Sequence, residues 1–186
     1  MREKTPNKKK KTKKEEWVHA RVTHLECNNP ATKPILQPSR PRLALLKAER
    51  MPIQFYRYLF EQVGKKQHWY SRRVMSDDEV YSIIHASTTH IHVLYADGSP
   101  AGFFELDASN LPDSVEIVFF GLTTSFQGLG LGKWFLSAAI SNAWNLKPQK
   151  LILQTNTLDH PAALRLYQSQ GFSPVGISEE KLTYWE

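Results

Sequence analysis

Residues 115–133 read VEIVFFGLTTSFQGLGLGK, and the architecture expected for the whole chain follows from this segment. The part before Thr123 is apolar apart from Glu116, a composition typical of a strand buried inside a sheet. From Gly130 to about Trp144, apolar side chains recur at steps of four with no charge after Lys133, which predicts a largely buried helix. The glycine-rich turn QGLGLGK at 127–133 therefore joins a strand to a helix, where unpaired backbone N–H groups and the helix dipole bind anions.

Two common phosphate-binding motifs do not fit this turn. A Walker A loop needs a glycine where this chain has Gln127, and a Ser or Thr for magnesium where it has Trp134. A dinucleotide-binding fingerprint needs the spacing G-x-G-x-x-G, whereas Gly128, Gly130 and Gly132 are evenly spaced. Neither a P-loop nor a Rossmann-type site is expected, and we assign no metal site.

The rest of the chain supplies further strands and helices. By apolar pattern, strands are expected at Trp17–Cys27, Leu43–Lys47, His90–Ala96, Ala101–Ala108, Leu151–Thr155 and Phe172–Ile177. Helices are expected at Ile53–Gly64, from Ser76 to about Ala86, and at Pro161–Gln170. Ser76 and Glu79 form a capping-box pattern, and Asp97-Gly98 favours a hairpin turn. The order, an antiparallel meander followed by β-α-β-α-β, predicts an α+β fold with a mixed, mostly antiparallel central sheet, flanking helices and an extra N-terminal strand.

Length and composition fit one domain. A chain of 186 residues can form one full-sized core. Its apolar stretches are interrupted well before the ~20 residues that a membrane-spanning helix needs, and no export signal is recognisable. Cys27 is the only cysteine, so an intrachain disulfide is impossible. We therefore expect a cytoplasmic protein without a membrane partner.

The net charge of +6 is concentrated in residues 1–14, MREKTPNKKKKTKK. This segment holds eight of the 24 Lys and Arg residues but only one of the 18 acidic ones, so residues 15–186 are nearly neutral. A run such as Lys8–Lys11 has little apolar surface to bury, which predicts a flexible basic tail in front of one folded domain. The tail could bind nucleic acid through counterion release, or serve only to increase solubility.

The spacing Gln127-x-x-Gly130-x-Gly132 resembles the Q/R-x-x-G-x-G/A pyrophosphate-binding signature of the GNAT superfamily of acyl-CoA-dependent acetyltransferases. EIVFFGLT at 116–123 is similar to the family's central strand, and LILQTN at 151–156 to its next strand. ALRLYQSQGF at 163–172 matches the family's A-x-x-L-Y-x-x-x-G-F segment. The resemblance covers roughly residues 90–177, the expected cofactor-binding core, and implies a GNAT-like fold with acetyl-CoA as co-substrate.

The resemblance also implies which residues bind acetyl-CoA. They are Leu122, Thr123, Gln127, Gly128, Leu129, Gly130, Leu131, Gly132, Lys133, Asn156 and His160. Backbone N–H groups near Leu122 and Thr123 would stabilise the oxyanion, and Asn156 would bind the cofactor's amide arm or orient the catalytic acid. Many relatives have Asn seven residues before the motif tyrosine, where this chain has His160. Asp159 or His160 could instead cap the helix that follows, and capping is the role we expect.

Acetylation of an alkylamine needs a base, because such an amine, with a pKa near ~10, is almost wholly protonated at neutral pH. Glu116 is the candidate, since a carboxylate at the start of an apolar strand is partly desolvated and the glutamate of E-I-V-F is the base in some relatives. Glu105 is the reserve. Glu116 also fits a strand-end glutamate that faces solvent or pairs with a lysine. Tyr167 has the family's position for the acid that protonates the CoA thiolate, although Leu164 and Tyr167 also form an ordinary helical core pair.

The acceptor site is the least defined part of the sequence. The resemblance places residues 55–73, FYRYLFEQVGKKQHWYSRR, near the acceptor cleft, where aromatics could enclose a small amine and Arg72 or Arg73 could hold a carboxylate or phosphate. A helix core with a solvated basic edge explains the same residues, and we favour that interpretation. Cys27 is far in sequence from the motif, so direct transfer in a ternary complex is expected rather than a covalent acyl-enzyme.

The sequence therefore predicts an N-acetyltransferase that moves an acetyl group from acetyl-CoA to an amine of a small molecule or peptide. Two other hypotheses stay open. One is a non-catalytic acyl-CoA-binding regulatory module, against which Glu116 and Tyr167 together argue. The other is an acetyltransferase of a nucleic-acid-associated protein, recruited by the lysine-rich tail. The sequence also leaves a homodimer open.

Overall fold

The structure is a computed structural model that describes residues 17–29 and 35–183, without the side chain of Thr183. The basic tail expected at residues 1–14 lies outside the described residues. None of the helices within those two ranges has the length and apolarity that a membrane span requires.

Seven strands and five α-helices occur in the described ranges. The strands are β1 Trp17–Cys27, β2 Leu43–Lys47, β3 Thr89–Ala96, β4 Ser99–Asp107, β5 Ser114–Leu122, β6 Lys150–Asn156 and β7 Ser173–Thr183. The helices are α1 Ile53–Gly64, α2 Ser71–Val74, α3 Asp77–Ile84, α4 Leu131–Trp144 and α5 Ala163–Ser169. All strands form one sheet in the order β2-β3-β4-β5-β6-β1-β7, antiparallel except for the parallel pair β5 and β6. The predicted mixed, mostly antiparallel α+β fold is confirmed.

Local sequence signals account for several of these elements. The Glu79 N–H donates to the Ser76 hydroxyl (3.3 Å) and the Ser76 N–H donates to the Glu79 carboxylate (2.7 Å), so the predicted capping box starts α3. Asp97 and Gly98 both have positive φ, 47° and 83°, and connect β3 to β4 in the predicted hairpin. Helix α1 ends at Gly64, the glycine at which the sequence predicted its end.

Three elements differ from the prediction. Helix α5 begins at Ala163 rather than Pro161, because the Ala162 N–H just before it donates to the His160 side chain in a separate turn. Strand β7 extends to Thr183, because β1 offers it a partner along that whole length. Helix α2 was not predicted, since four residues are too few to show an apolar period.

Two apolar clusters lie on opposite faces of the sheet. Helices α4 and α5 cover one face, where Phe104, Phe135 and Leu136 are fully buried. Helices α1 and α3 cover the other, where Tyr56 and Leu59 are fully buried. Burial of apolar area at roughly 25 cal/mol per Å² holds both layers to the sheet. We call the side that carries α1 the α1 face.

Strand β1 takes a position that nothing in the local sequence indicates. It lies between β6 and β7 and runs antiparallel to both. Its residue Val22 pairs with Asn156 on one side and with Ser178 on the other. The last crossover of the predicted β-α-β-α-β pattern, from β6 through α5 to β7, therefore passes over an intervening strand.

Candidate active site

Strands β5 and β6 separate near the centre of the sheet. Their parallel register runs from Ser114 opposite Lys150 to Ile117 opposite Leu153 and ends there, although β5 continues to Leu122. The gap belongs to a cavity of about 840 Å³, whose walls include the glycine-rich turn and parts of β1, β5, β6, α5 and β7. Sites for small molecules commonly have volumes of roughly 300–1,000 Å³.

The glycine-rich turn forms one end of the cavity. Gly128 and Gly130 both have φ of +76°, and a Cβ added to either would meet no atom within 4 Å. The Gln127 side-chain amide donates to the Leu122 carbonyl (3.0 Å), which ties the turn to the end of β5. The backbone of the turn is thus held in place while the space beside it stays open.

The first turn of α4 completes this end. The helix begins at Leu131 with no side-chain cap, so its first N–H groups are available to an anion. Leu131, Gly132 and Lys133 line the cavity. Leu129 does not belong to the cavity wall, and its side chain is 55% exposed.

The end of β5 offers only one of the two backbone N–H groups expected to face the oxyanion. The Thr123 N–H donates to the Ala101 carbonyl at the end of the β4–β5 ladder (2.9 Å). The expectation that this N–H faces the oxyanion is therefore wrong, because the donor is already used within the sheet. Successive residues of a strand direct their N–H groups to opposite sides. Leu122 consequently presents its N–H to the gap, on the side where its carbonyl meets Gln127.

Glu116 lies half-buried in the cavity wall on the α1 face of β5, opposite Asp107 of β4. Burial raises the pKa of the Glu116 carboxyl, the nearby Asp107 carboxylate raises it further, and His24 partly opposes both. No lysine or arginine of the described ranges forms an ion pair with Glu116. A half-buried carboxyl with a raised pKa is suited to accept a proton near neutral pH.

Strand β1 brings two residues to the site that sequence reasoning missed as site residues. Val22 lines the cavity, and His24 lies on the same face of the sheet as Glu116. The His24 Nε2 is within 2.8 Å of the Ser178 hydroxyl of β7. Only the pairing of β1 with β6 and β7 brings these residues near Glu116, and that pairing leaves no local signal in the sequence.

Tyr167 belongs both to the core and to the cavity wall. Its ring packs edge-on against Phe120 and Phe172 at centroid distances of 6.3 Å, as a core residue would. It also lines the cavity. Burial raises the pKa of the Tyr167 phenol and the Asp159 carboxylate adds to that rise, so the phenol keeps its proton at neutral pH.

The Asp159 carboxylate holds the turn that follows β6. It accepts hydrogen bonds from the Thr155 hydroxyl (2.7 Å), the Asn156 N–H (2.9 Å) and the Trp69 indole N–H (3.4 Å). The Asn156 side-chain oxygen accepts from the Leu158 N–H (2.8 Å). The Asn156 side chain thus helps to shape the turn, and Asn156 also belongs to the cavity wall.

His160 lines the cavity next to this turn. Its Nδ1 accepts a hydrogen bond from the Ala162 N–H (3.2 Å), just before α5. This hydrogen bond lies in the turn that precedes α5, whose N-cap is Ala162 and has no side-chain cap. The expectation that Asp159 or His160 caps the helix is therefore wrong, because the helix begins after the turn that these side chains stabilise. A contact between His160 and a cofactor stays a prediction.

Glu105, the reserve base, is committed to a buried network. Its side chain accepts a hydrogen bond from the Tyr56 hydroxyl (2.5 Å) and forms an ion pair with Arg72 (2.8 Å). The ion pair also occupies Arg72, which therefore does not fit the role of binding an acceptor carboxylate or phosphate. The Arg72 guanidinium lies 5.3 Å from the centre of the Phe119 ring, so this arginine builds the core beneath the wall.

An aromatic cluster supports the part of the cavity wall that contains Trp69 and Phe119. Trp69 packs against three phenylalanine rings, those of Phe60, Phe103 and Phe119, at centroid distances of 5.7, 6.2 and 5.0 Å. Gly64 leaves room for this indole, because a Cβ at that position would lie 2.6 Å from Trp69 atoms. The hydrogen bond from the Trp69 indole to Asp159 connects the segment after α1 to the turn after β6.

Cys27 lies away from this cavity. Its side chain is buried, its Sγ donates to the Asn29 carbonyl (3.1 Å), and burial raises the pKa of the thiol. It packs in the cluster beneath α4, on the opposite face of the sheet from Glu116. A thiol of this kind is a poor nucleophile.

Comparisons with known proteins show the family and the fold. The sequence model of the family described as acetyltransferase (GNAT) domain matches residues 58–182. No curated protein matches the chain in sequence. A conserved protein of unknown function from Staphylococcus epidermidis is 16% identical with a TM-score of 0.63, and the match covers 91% of this chain and 64% of that one.

Two further structures carry names that refer to the same family. A protein assigned to the GNAT family from Novosphingobium aromaticivorans is 13% identical with a TM-score of 0.62, over 91% of this chain and 66% of that one. A GCN5-related N-acetyltransferase from Kribbella flavida is 15% identical with a TM-score of 0.57, over 90% of this chain and 60% of that one. The chain spans less than two thirds of the length of each of these structures, and at such identities the likeness shows the fold.

Proposed function

The chain belongs to the GNAT acetyltransferase family, and from that premise we propose that it transfers the acetyl group of acetyl-CoA directly to a primary amine. One observation carries the proposal. A single cavity contains the open glycine-rich turn, the gap between β5 and β6, Glu116 and Tyr167. An anion-binding turn, a base and an acid thus share one space.

The residues present fit acetyl-CoA. The backbone around Gly128 and Gly130 leaves the open space that a pyrophosphate needs, and the first turn of α4 supplies donors. Lys133 at the cavity wall adds a positive charge. The Leu122 N–H, directed into the gap, is placed to bind an oxygen of the acyl-bearing arm.

Glu116 takes the proton of the acceptor amine in this proposal. An alkylammonium ion with a pKa near ~10 must lose a proton before it can attack, and the raised pKa of Glu116 makes its carboxylate a better proton acceptor. Tyr167 then supplies a proton to the departing thiolate, because its phenol stays protonated at neutral pH.

Direct transfer is favoured over a covalent acyl-enzyme. Cys27 is the only cysteine of the chain, and it is buried beneath α4 with a raised thiol pKa. Both substrates would therefore bind together. We propose the cytoplasm as the compartment, in line with a chain whose one cysteine cannot form an intrachain disulfide.

The test uses two glutamate substitutions at glycines of the same kind. Gly130 and Gly98 have positive φ and open space around a Cβ, but only Gly130 lines the cavity. Gly130→Glu places a side chain and a negative charge beside the turn, so we expect acetyl-CoA affinity to fall more than tenfold. Gly98→Glu should leave it unchanged. Calorimetric titration measures both, and thiol release with a library of primary amines measures transfer.

Equal acetyl-CoA affinity in wild type and in a folded Gly130→Glu protein would contradict the placement of the cofactor. Intact acetyl-CoA binding without thiol release for any amine would contradict the transferase activity and favour an acyl-CoA-binding module.

A further inference from the structure

Three half-buried aromatic residues present their rings to the cavity. Trp69, Tyr70 and Phe119 all line it, and we call these three residues the aromatic wall. Phe119 lies on a central strand whose neighbours are β4 and β6, so the uncovered part of its ring faces the cavity rather than bulk solvent. Ring surface that is left uncovered inside a cavity is a binding surface for an apolar group.

A β-bulge puts Phe119 on the same face of the sheet as the candidate base. Phe119 is opposite Glu105 of β4 and Glu116 is opposite Asp107, so three steps along β5 match two steps along β4. The side chains of Glu116 and Phe119 therefore both lie on the α1 face, and their backbone positions are about 10 Å apart at ~3.4 Å per residue. A benzene ring on a two-carbon chain with a terminal amine has a comparable length.

The indole of the aromatic wall is held in place from several sides. A Cβ at Gly64 of α1 would lie 2.6 Å from Trp69 atoms, and a Cβ at Gly121 of β5 would lie 3.6 Å from the Trp69 ring. The backbones of a helix and of a strand thus both approach the indole closely. The indole N–H also donates to Asp159 (3.4 Å). A surface that is already fixed before a ligand arrives loses little conformational entropy on binding.

Charged groups near the aromatic wall are already bound within the protein. Arg72 forms the ion pair with Glu105 (2.8 Å), and the Asp159 carboxylate accepts three hydrogen bonds. Asp107 lies opposite Glu116 but does not line the cavity. These described groups therefore offer no partner to a second charge on the acceptor.

Polar groups on the other side of the cavity are bound or distant. The His24 Nε2 lies within 2.8 Å of the Ser178 hydroxyl. Glu180 and Lys181 line the cavity on β7, three strands from β5, which is about 14 Å across the sheet at ~4.8 Å per strand. The described charges therefore do not select the substituent of the acceptor, and the ring surface of the aromatic wall is left to do so.

We propose that the acceptor is an arylalkylamine, a primary amine joined to an aromatic ring by a short alkyl chain. The inference rests on the proposed function and names its acceptor. The ammonium group gives a proton to Glu116 while the ring lies against the aromatic wall. The nitrogen then attacks the thioester carbonyl carbon, the carbon–sulfur bond breaks and an amide bond forms. Tyr167 protonates the sulfur, so acetyl-CoA and the arylalkylammonium ion yield the N-acetyl amine, CoA thiol and one proton.

The experiment measures thiol release by the full chain with acetyl-CoA and a panel of primary amines. Phenethylamine carries an aromatic ring, putrescine a second ammonium group and β-alanine a carboxylate. Glucosamine offers hydroxyl groups to Gln154, an exposed residue of the cavity wall on β6. We expect kcat/KM for phenethylamine to exceed that of each polar amine at least tenfold, because the aromatic wall buries its apolar ring. Cyclohexylethylamine, with a saturated ring, should be roughly two- to tenfold below phenethylamine, because contacts between aromatic rings add to the burial of area.

A matched pair of variants tests the aromatic wall. Phe119→Leu keeps an apolar side chain but removes the ring, so the ratio of kcat/KM for phenethylamine to that for putrescine should fall at least fivefold, mainly through KM. Acetyl-CoA affinity should stay unchanged in a calorimetric titration. Phe103→Leu removes a fully buried ring that packs against Trp69 at 6.2 Å but does not line the cavity, so the ratio should stay the same. The ratio is insensitive to a loss of folded protein, because both rates scale with the folded fraction.

An aromatic compound without an amine tests the same wall in the wild-type protein. Phenethyl alcohol has the ring and the two-carbon chain, and we expect it to inhibit acetylation of phenethylamine competitively. Butanediol lacks the ring and should not inhibit at the same concentration. This measurement decides the question even where a variant does not fold, and an absence of inhibition by phenethyl alcohol would contradict the proposed binding surface.

Three results would overturn the inference while the proposed function stands. One is thiol release with putrescine, glucosamine or β-alanine at least as efficient as with phenethylamine. Another is an equal value of kcat/KM for cyclohexylethylamine, which would exclude the aromatic ring as the group that is recognised. The third is an equal effect of Phe119→Leu and Phe103→Leu on the ratio. Acetyl-CoA binding without thiol release for any amine would overturn both proposals.

Discussion

At the scale of single residues, the candidate site depends on the surroundings of two glutamates. Glu116 and Glu105 lie on neighbouring strands with their side chains on the same face, and only their partners differ. Glu105 is held by Arg72 and Tyr56, whereas Glu116 faces Asp107 and the cavity. The sequence named both as candidate bases but could not show that Arg72 pairs with Glu105, because that contact joins residues far apart in the chain.

The Glu116→Gln variant tests the base. The amide keeps the shape of the side chain but cannot accept the proton, so the rate with a verified acceptor should fall by roughly 10²–10⁴-fold. Raising the pH should restore part of the lost rate, because a larger fraction of the acceptor amine is then unprotonated in solution. Steady-state rates from pH 6.5 to 9.5 and acetyl-CoA titrations measure this, with Glu61→Gln on the exposed side of α1 as control. A wild-type rate for Glu116→Gln at neutral pH would exclude it as the base.

The Tyr167→Phe variant separates chemistry from packing. Phenylalanine keeps the ring contacts with Phe120 and Phe172 but lacks the phenolic proton, so turnover should fall at least tenfold while the melting temperature and acetyl-CoA affinity change little. Turnover rate and melting temperature are measured for this variant and for the control Tyr58→Phe, which changes an exposed tyrosine. If turnover is unchanged, Tyr167 is a core residue only.

At the scale of elements, the sequence predicted what local chemistry controls. The capping box at Ser76 and the hairpin turn at Asp97-Gly98 each involve no more than four consecutive residues. Both are confirmed at the predicted positions. The placement of β1 and the extra length of β7 depend on pairing between distant strands, which leaves no local pattern. Gly64 also depends on a contact that its local sequence does not reveal. The Trp69 indole packs against it and leaves no room for a Cβ atom.

Two glycine-to-alanine changes in helices test that packing. Gly64→Ala would put a Cβ 2.6 Å from Trp69 atoms, so the indole must move, and we expect a loss of roughly 1–3 kcal/mol in unfolding free energy. Gly132→Ala adds the same methyl group 3.7 Å from Leu166, an ordinary contact, and should be neutral or stabilising by up to ~1 kcal/mol. Urea titrations measure both. Equal effects would mean that Trp69 is not fixed by Gly64.

At the scale of the whole molecule, β1 joins the two strands on the cavity side of the sheet. It connects β6 to β7, and both of these strands line the cavity. Without it, both strands would lose the partner that lies between them, and Val22 and His24 would leave the site.

Two N-terminal deletions test this arrangement. Removing residues 1–14 should leave the melting temperature unchanged, because the deleted segment precedes every described strand. Removing residues 1–29 takes away β1, and we expect no cooperative thermal transition, since β6 and β7 are left with unpaired edges. Calorimetry distinguishes the two. A cooperative transition in the shorter chain would show that β6 and β7 can pair without β1.

The position of β1 also affects how the protein is made on the ribosome. Of the described strands, β1 leaves the exit tunnel before the others, yet its hydrogen-bonding partners follow much later. The Arg21 N–H donates to the Thr157 hydroxyl, and His24 pairs with the Ser178 hydroxyl, at separations of 136 and 154 residues. Until β6 and β7 have been synthesised, both edges of β1 lack a strand partner. Unpaired strand edges favour aggregation, and pairing between distant strands slows folding. We expect nascent chains to depend on chaperones until the codons of β7 have been read.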